Sequence, residues 1–160
     1  MEFDFGLYGQ PYSVYCMDLA WHRGTNSGAQ NFMALRVFIA DDAQAILSAI
    51  KALLVAHSGE WSVCGEAADG DQAILRAIET VPDIILLDLS LPQASGASVA
   101  TRLRDTIPTA TIVLMSAQEP SVLRHLADSL GIEYYVPKSE LATELIAILK
   151  SIAHKKQSLS

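Results

Sequence analysis

Five side chains that could do chemistry follow short apolar runs of the sequence. Asp41 and Asp42 follow the first run, Asp88 ends the third, Ser116 ends the fourth, and Lys138 follows the fifth. Clustered carboxylates repel one another unless a cation lies among them, and hard oxygen ligands suit Mg²⁺. A carboxylate beside such an ion can attack a phosphoryl group, while an ammonium and a hydroxyl hold the phosphoryl oxygens. These residue types therefore suit phosphoryl transfer onto an aspartate.

The elements that would position these residues are five strands alternating with five helices. The predicted strands cover 35–40, 61–67, 83–88, 110–115 and 133–136, and the predicted helices cover 43–57, 70–79, 95–105, 119–130 and 140–153. Near-continuous apolar strands indicate burial on both faces. Regular alternation predicts an α/β fold, a doubly wound five-stranded parallel sheet over about 33–155. Ligands of such sheets bind at the carboxyl ends of the strands, where the five residues fall.

Each of these residues also has an ordinary explanation when it is taken alone. Asp42 could cap the helix that starts at Ala43, and Asp88 could cap a loop. Ser116 could be a turn residue, and Lys138 could be a solvated side chain. The joint arrangement favours chemistry, because each residue falls at the end of a different predicted strand, at the same edge of the sheet.

Over about 33–155, the sequence resembles the receiver domains of bacterial two-component response regulators. These have the flavodoxin-like fold of chemotaxis regulators. Besides the five residues above, the matching marks are Pro92 and Gly96 in the loop after Asp88, Ala117 after Ser116, and Tyr135 three residues before Lys138. Ser139 stands where many receivers have proline. The resulting Pro-Lys-Ser form is similar to that of NarL/FixJ-type receivers.

The resemblance implies that Asp88 accepts a phosphoryl group from the phosphohistidine of a histidine kinase or a phosphotransfer protein, with Mg²⁺. It implies that Asp42 and Asp88 ligate the ion, with Asp41 close by. The backbone carbonyl of Ser90 would complete the protein ligands.

The resemblance also implies how the phosphoryl group is held and sensed. Ser116 and Lys138 would bind it, and Ser116 would move inward with Tyr135 following. That movement would reshape the surface of the fourth helix, fifth strand and fifth helix, a two-state change driven by a local charge. The output partner is either a separate protein or a DNA-binding domain that follows the receiver. The sequence leaves open whether phosphorylation drives formation of a homodimer.

Composition excludes several other classes of protein. The net charge of −7 provides no basic surface for nucleic acid. The sequence contains no run of about 18 apolar residues, so no membrane span is predicted. The acidic start at 1–4 is unlike a signal peptide. Two cysteines are too few for a disulfide scaffold, so a cytoplasmic location is expected. The first strand-to-helix turn lacks the glycines of a nucleotide-binding loop, so no nucleotide cofactor is expected.

The ends of the chain differ from this pattern. Residues 1–32 keep no regular period and are predicted to be a poorly ordered extension, which could be a translated upstream region, a cloning remnant or a docking arm. The last helix is predicted to end near Ala153, and 156–160 to form a polar tail. The sequence leaves open whether the receiver stands alone or begins a longer regulator.

Two other functions remain open at this stage. A haloacid-dehalogenase-type phosphatase also uses an aspartyl nucleophile, but that nucleophile comes first in its chain and is followed two residues later by another aspartate. Here Ser90 is two residues after Asp88. Turnover of a generic phosphate monoester would support the phosphatase. A degenerate receiver would act only through protein contacts, and a failure to bind Mg²⁺ would support it.

Overall fold

The computed structural model describes residues 34–57 and 59–158, so the predicted extension over 1–32 lies outside the described residues. The strands are β1 Leu35–Ala40, β2 Trp61–Ala67, β3 Ile84–Asp88, β4 Thr111–Ser116 and β5 Tyr134–Pro137. The helices are α1 Gln44–Ala56, α2 Gly70–Thr80, α3 Gly96–Thr106, α4 Pro120–Leu130 and α5 Leu141–Ser158. A single 3₁₀ turn, Lys138–Glu140, joins β5 to α5.

The five strands form one parallel sheet in the order β2-β1-β3-β4-β5. The predicted α/β class is confirmed, and β2 is an edge strand as its weaker apolar pattern indicates. The chain moves from β1 outward to β2 and then returns to β3 on the other side of β1. This reversal opens a crevice at the carboxyl ends of β1 and β3, the usual ligand position in such sheets.

Apolar residues on the two faces of the sheet form two core clusters. One face packs against α2, α3 and α4, and its largest fully buried side chains include Phe38, Ile85 and Leu103. The other face packs against α1 and α5, with Ile39 and Leu145 in its cluster. Because both faces are covered, the central strand β3 is fully buried and apolar up to Asp88, its last residue, whereas the edge strand β2 also carries polar side chains.

Two glycines let the starts of α2 and α3 approach the loop that follows β3. A Cβ on Gly96, the first residue of α3, would lie 2.4 Å from the Cα of Leu89. At Gly70, the first residue of α2, a Cβ would lie 2.7 Å from the Cβ of Ala94, and the Gly70 N–H donates to the carbonyl of Pro92 at 3.2 Å. Both helices are therefore packed directly against the segment after the third strand.

The last helix is longer than the sequence predicts. It ends at Ser158 instead of near Ala153, so the first three residues of the predicted tail over 156–160 are helical. The Lys156 ammonium donates to the backbone carbonyl of Thr109 at 2.9 Å, which anchors the final turn to the domain. Basic residues near a helix C-terminus are also favourable. Neither α5 nor any other described helix is long and apolar enough to cross a membrane.

Candidate functional site

Three side chains at the strand ends share one local geometry. Asp41, Asp88 and Ser116 each accept a hydrogen bond from the backbone N–H two residues further along, at 2.9, 3.1 and 3.1 Å. Short polar side chains make this contact where a chain leaves regular structure, because it replaces a lost backbone partner. Each contact fixes one side-chain oxygen. In the two aspartates it leaves the second oxygen, Oδ2, for other partners.

The ordinary explanation for Asp42, that it caps α1, is wrong. Helix α1 begins after Ala43, and it has no side-chain cap. The N–H of Ala43 is instead taken by the Asp41 carboxylate. Asp42 is exposed at the mouth of the crevice, whereas Asp41 is fully buried.

Lys138 joins the two buried carboxylates. Its Nζ lies 2.7 Å from Oδ2 of Asp41 and 2.9 Å from Oδ2 of Asp88. Burial alone would lower the pKa of Lys138, but hydrogen bonding and charge attraction from the two carboxylates outweigh it and raise that pKa above its ordinary value. The ammonium is therefore charged throughout the neutral pH range. Its side chain, 14% exposed, closes one side of the site.

The acidic cluster has the composition of a divalent-cation site. Asp41, Asp42 and Asp88 each offer a carboxylate oxygen, and these oxygens all lie within 4.8 Å of one another. One ammonium cannot neutralise three carboxylates, so a formal net charge of −2 remains. The buried Oδ2 atoms of Asp41 and Asp88 have no partner among the described residues besides Lys138. Oxygen ligands with this charge fit Mg²⁺, which retains several waters when protein carboxylates hold it.

We expect the Asp42→Asn variant to bind Mg²⁺ at least about tenfold more weakly than the wild type. Asp42 is exposed and does not contact Lys138, so its loss removes a carboxylate from the cluster without disturbing the buried pair. Isothermal titration with MgCl₂ measures the change, and Asp71→Asn on the exposed side of α2 is the matched control. Equal Mg²⁺ affinity in Asp42→Asn and wild type would contradict a role for this carboxylate.

The other predicted site residues lie around this cluster. Ser116 is fully buried at the end of β4. Tyr135 of β5 is half-buried against the apolar cluster that contains Leu123 of α4. Ser90 is exposed and contacts Asp88 through its N–H; its carbonyl as a metal ligand stays a prediction.

Gly70 is a site-positioning residue that sequence reasoning missed. The sequence predicts only that Gly70 lies at the start of a helix, yet its N–H and its missing side chain bring α2 against the loop after β3. No local pattern carries this information, because Gly70 and Pro92 are distant in the sequence. The contact between them exists only in the folded chain.

Comparison with known proteins identifies the family of the domain. Residues 37–150 match the family described as response regulator receiver domain. The chain belongs to this family. The match covers β2 to β5, α1 to α4 and parts of β1 and α5, and its range includes every residue of the cluster.

The receiver is similar to parts of longer regulatory proteins. It is 29% identical over 119 residues to the transcriptional regulatory protein YxjL of Bacillus subtilis, covering 74% of this chain and 54% of that protein. It is 30% identical over 115 residues to the response regulator VraR of Staphylococcus epidermidis, covering 71% of this chain and 54% of that protein. The chain thus spans about half the length of these curated relatives.

Solved structures agree with the family. The signal receiver domain of the response regulator NarL from Mycobacterium tuberculosis is 29% identical with a TM-score of 0.61, covering 73% of this chain and 97% of that one. The isolated receiver domain of RcsB from Salmonella enterica serovar Typhimurium, solved with BeF₃⁻, has a TM-score of 0.70 at 22% identity, covering 76% and 90%. The predicted resemblance to NarL-type receivers is confirmed.

Proposed function

We propose that the receiver accepts a phosphoryl group on Asp88 from a phosphohistidine. The observation that supports this most is the convergence of four charged side chains from three strand ends. Asp88 presents a carboxylate beside the Lys138 ammonium at 2.9 Å, and Asp41 and Asp42 complete an acidic cluster at the same edge of the sheet. A nucleophile, a cation-binding set and a fixed positive charge then lie within one crevice.

The transfer needs one bond to form and one to break. A carboxylate oxygen of Asp88 attacks the phosphorus, and the P–N bond to the donor imidazole breaks with its electron pair going to nitrogen; the ring, already protonated on its other nitrogen, leaves as neutral imidazole. When bound, Mg²⁺ neutralises charge on the phosphoryl oxygens. Asp41, Asp42, Asp88 and the backbone carbonyl of Ser90 would hold this ion.

Lys138 and Ser116 would bind the phosphoryl group after transfer. Lys138 would exchange its contact with Asp88 for a contact with a phosphoryl oxygen, because a phosphorylated carboxylate no longer carries its charge there. Ser116 now uses its oxygen to accept from the N–H of Gln118 at 3.1 Å. Its hydroxyl hydrogen would be donated to the phosphoryl group in the modified protein.

The switching surface would be reshaped through Tyr135. Its half-buried ring lines a groove of about 560 Å³ with Pro120, Ser121, Arg124 and His125 of α4. If Ser116 moves toward the phosphoryl group, space opens behind β4, and the ring of Tyr135 can move into it. The groove would then change shape, and the surface of α4, β5 and α5 would report phosphorylation to a partner.

Membership of the family indicates the general kinds of partner. Response regulators act with histidine kinases, and the part of VraR that matches this chain is only 54% of that protein. We propose a kinase or phosphotransfer protein as the phosphoryl donor. The receiver would pass the signal to an output protein or to a DNA-binding domain joined to it. The net charge of −7 disfavours direct binding of nucleic acid by the chain itself.

Phosphoramidate tests the proposed reaction, because its P–N bond is the same kind of bond as in phosphohistidine. We expect incubation with phosphoramidate and MgCl₂ to add one phosphoryl group to the chain, seen by intact mass, and EDTA to prevent the addition. Hydroxylamine should remove the group, because it cleaves acyl phosphates. An adduct that survives hydroxylamine would contradict an aspartyl site. Continuous release of phosphate from a generic monoester would instead support the phosphatase.

A further inference from the structure

Helix α2 carries apolar side chains on its outer surface. The exposed fractions are 57% for Leu75 and 43% for Ile78 on the helix, and 56% for Val81 at its C-terminal cap. We call these three residues the α2 strip. Isolated exposed apolar residues are normal, and Val55 on α1 is one of them. Two on one short helix and a third at its C-terminal cap form a patch that is typical of an interaction surface.

Val81 makes the α2 strip more unusual. Its φ of 45° is in the left-handed region, at the position where a helix most often ends with glycine or asparagine. A β-branched residue is rarely found there, because its branched side chain crowds the backbone. The chain therefore keeps an exposed apolar side chain at a place where the backbone itself favours a different residue.

Two opposite charges lie beside the α2 strip. At 100° per residue, Ile78 lies on one side of Leu75, while Arg76 and Glu79 lie on the other side. Arg76 donates to the backbone carbonyl of Glu66 at 3.0 Å, and neither Arg76 nor Glu79 forms a salt bridge with any described residue. The outer surface of α2 thus combines an apolar strip with one positive and one negative side chain.

We propose that a second copy of this chain docks on α2 through an antiparallel two-fold contact. The two-fold axis lies in the plane of the interface and is perpendicular to both helices. The flank of one α2 that carries Arg76 and Glu79 therefore faces the same flank of the other α2, running in the opposite direction. Leu75 and Ile78 of the two copies then pack together, while Arg76 of each copy meets Glu79 of the other. The surface is its own complement in both shape and charge, which is the requirement for an isologous dimer. This charge complementarity selects a second copy as the occupant.

The expected dimer is weak. A helix of 11 residues is about 16 Å long, so the contact buries less than the roughly 1,600 Å² of a standard interface. Association in the micromolar to millimolar range follows, which suits a contact that forms and breaks during signalling. The contact uses none of the residues of the acidic cluster, so it does not depend on the proposed phosphorylation.

Sedimentation equilibrium over micromolar to millimolar concentrations tests the α2 strip. We expect the wild type to form a reversible dimer and the Leu75→Glu/Ile78→Glu variant to dissociate at least about tenfold more readily. Val55→Glu on α1 is the control, because it places a glutamate on another exposed apolar position outside the α2 strip, and it should dimerise like the wild type. Circular dichroism establishes that each variant is folded.

Charge reversal tests the two-fold geometry. Arg76→Glu alone and Glu79→Arg alone should each weaken the dimer by about fivefold, because each places like charges together across the interface twice. The double variant Arg76→Glu/Glu79→Arg should restore it. A wild type that stays monomeric up to millimolar concentration would overturn the proposal, as would a double variant that is no better than the single ones. If the wild type is monomeric and the variants of the α2 strip lose phosphorylation by a kinase, the α2 strip would instead be the contact surface for another protein.

Discussion

The Asp88→Asn variant is expected to take no phosphoryl group from acetyl phosphate or phosphoramidate, under conditions that modify the wild type. The substitution removes the nucleophilic oxygen while keeping an Oδ1 that can accept the N–H of Ser90, now at 3.1 Å. The side chain is almost fully buried and the replacement has nearly the same volume, so the packing around it is retained. Loss of the adduct would therefore report chemistry at this oxygen. Intact mass after incubation with MgCl₂ is the measurement.

The matched control for this experiment is Asp105→Asn. Asp105 is exposed in the last turn of α3, which leads to the start of β4 and not to the carboxyl end of a strand, and its carboxylate makes only a 4.0 Å contact with Arg104. We expect Asp105→Asn to be modified like the wild type. A phosphoryl adduct on Asp88→Asn would disprove the assignment of the phosphoacceptor. A wild type that binds Mg²⁺ but is never modified, even by a kinase, would support the phosphate-independent receiver.

Replacing Lys138 with methionine is expected to lower the free energy of unfolding, without Mg²⁺, by about 3 kcal/mol. Asp41 and Asp88 are buried and share Lys138 as their cationic partner, at 2.7 and 2.9 Å. Removing the ammonium leaves two buried carboxylates next to each other with no compensating charge among the described residues. Methionine has a similar length, so most of the effect is electrostatic. Urea denaturation in EDTA measures it.

Mg²⁺ should reverse much of this loss, because the ion supplies positive charge to the same carboxylates. The increase in stability on adding MgCl₂ is therefore expected to be larger for Lys138→Met than for the wild type. Lys150→Met is the control: this lysine is 54% exposed and lies 3.9 Å from Glu60, so its loss should change stability by less than about 0.5 kcal/mol. Equal small changes in both variants would show that the buried ion pair contributes little.

The two experiments separate the parts of the proposed function. Asp88→Asn removes the nucleophile and leaves Lys138 paired with Asp41, whereas Lys138→Met leaves the nucleophile in place. If the first variant loses phosphorylation and the second loses stability without Mg²⁺, the nucleophile and the cationic partner have different roles. The α2 dimer is tested independently, since its residues lie outside the acidic cluster.

The strand pattern could be predicted because it depends on local composition. A strand that is covered on both faces must be apolar along its length, so β3 and β4 stand out in the sequence. The polar residue that ends each of these strands is then conspicuous, and Asp88 and Ser116 were placed at the correct edge of the sheet. The end of α5 was placed too early because its last turn is held by contacts with residues distant in the chain, such as that of Lys156 with Thr109.

The sequence by itself determined the α/β fold, the strand ends, and the family to which the chain belongs. Residue types and their order contain this information, since apolar periodicity and the positions of charged residues are local properties. Only the tertiary structure decided how the site is assembled: Asp41 is buried and paired with Lys138, Asp42 is exposed, and Gly70 holds α2 against the loop after β3. It also decided that Leu75 and Ile78 remain exposed on α2. Burial and pairing depend on which distant segments meet, and that is set by how the whole sheet and its helices pack.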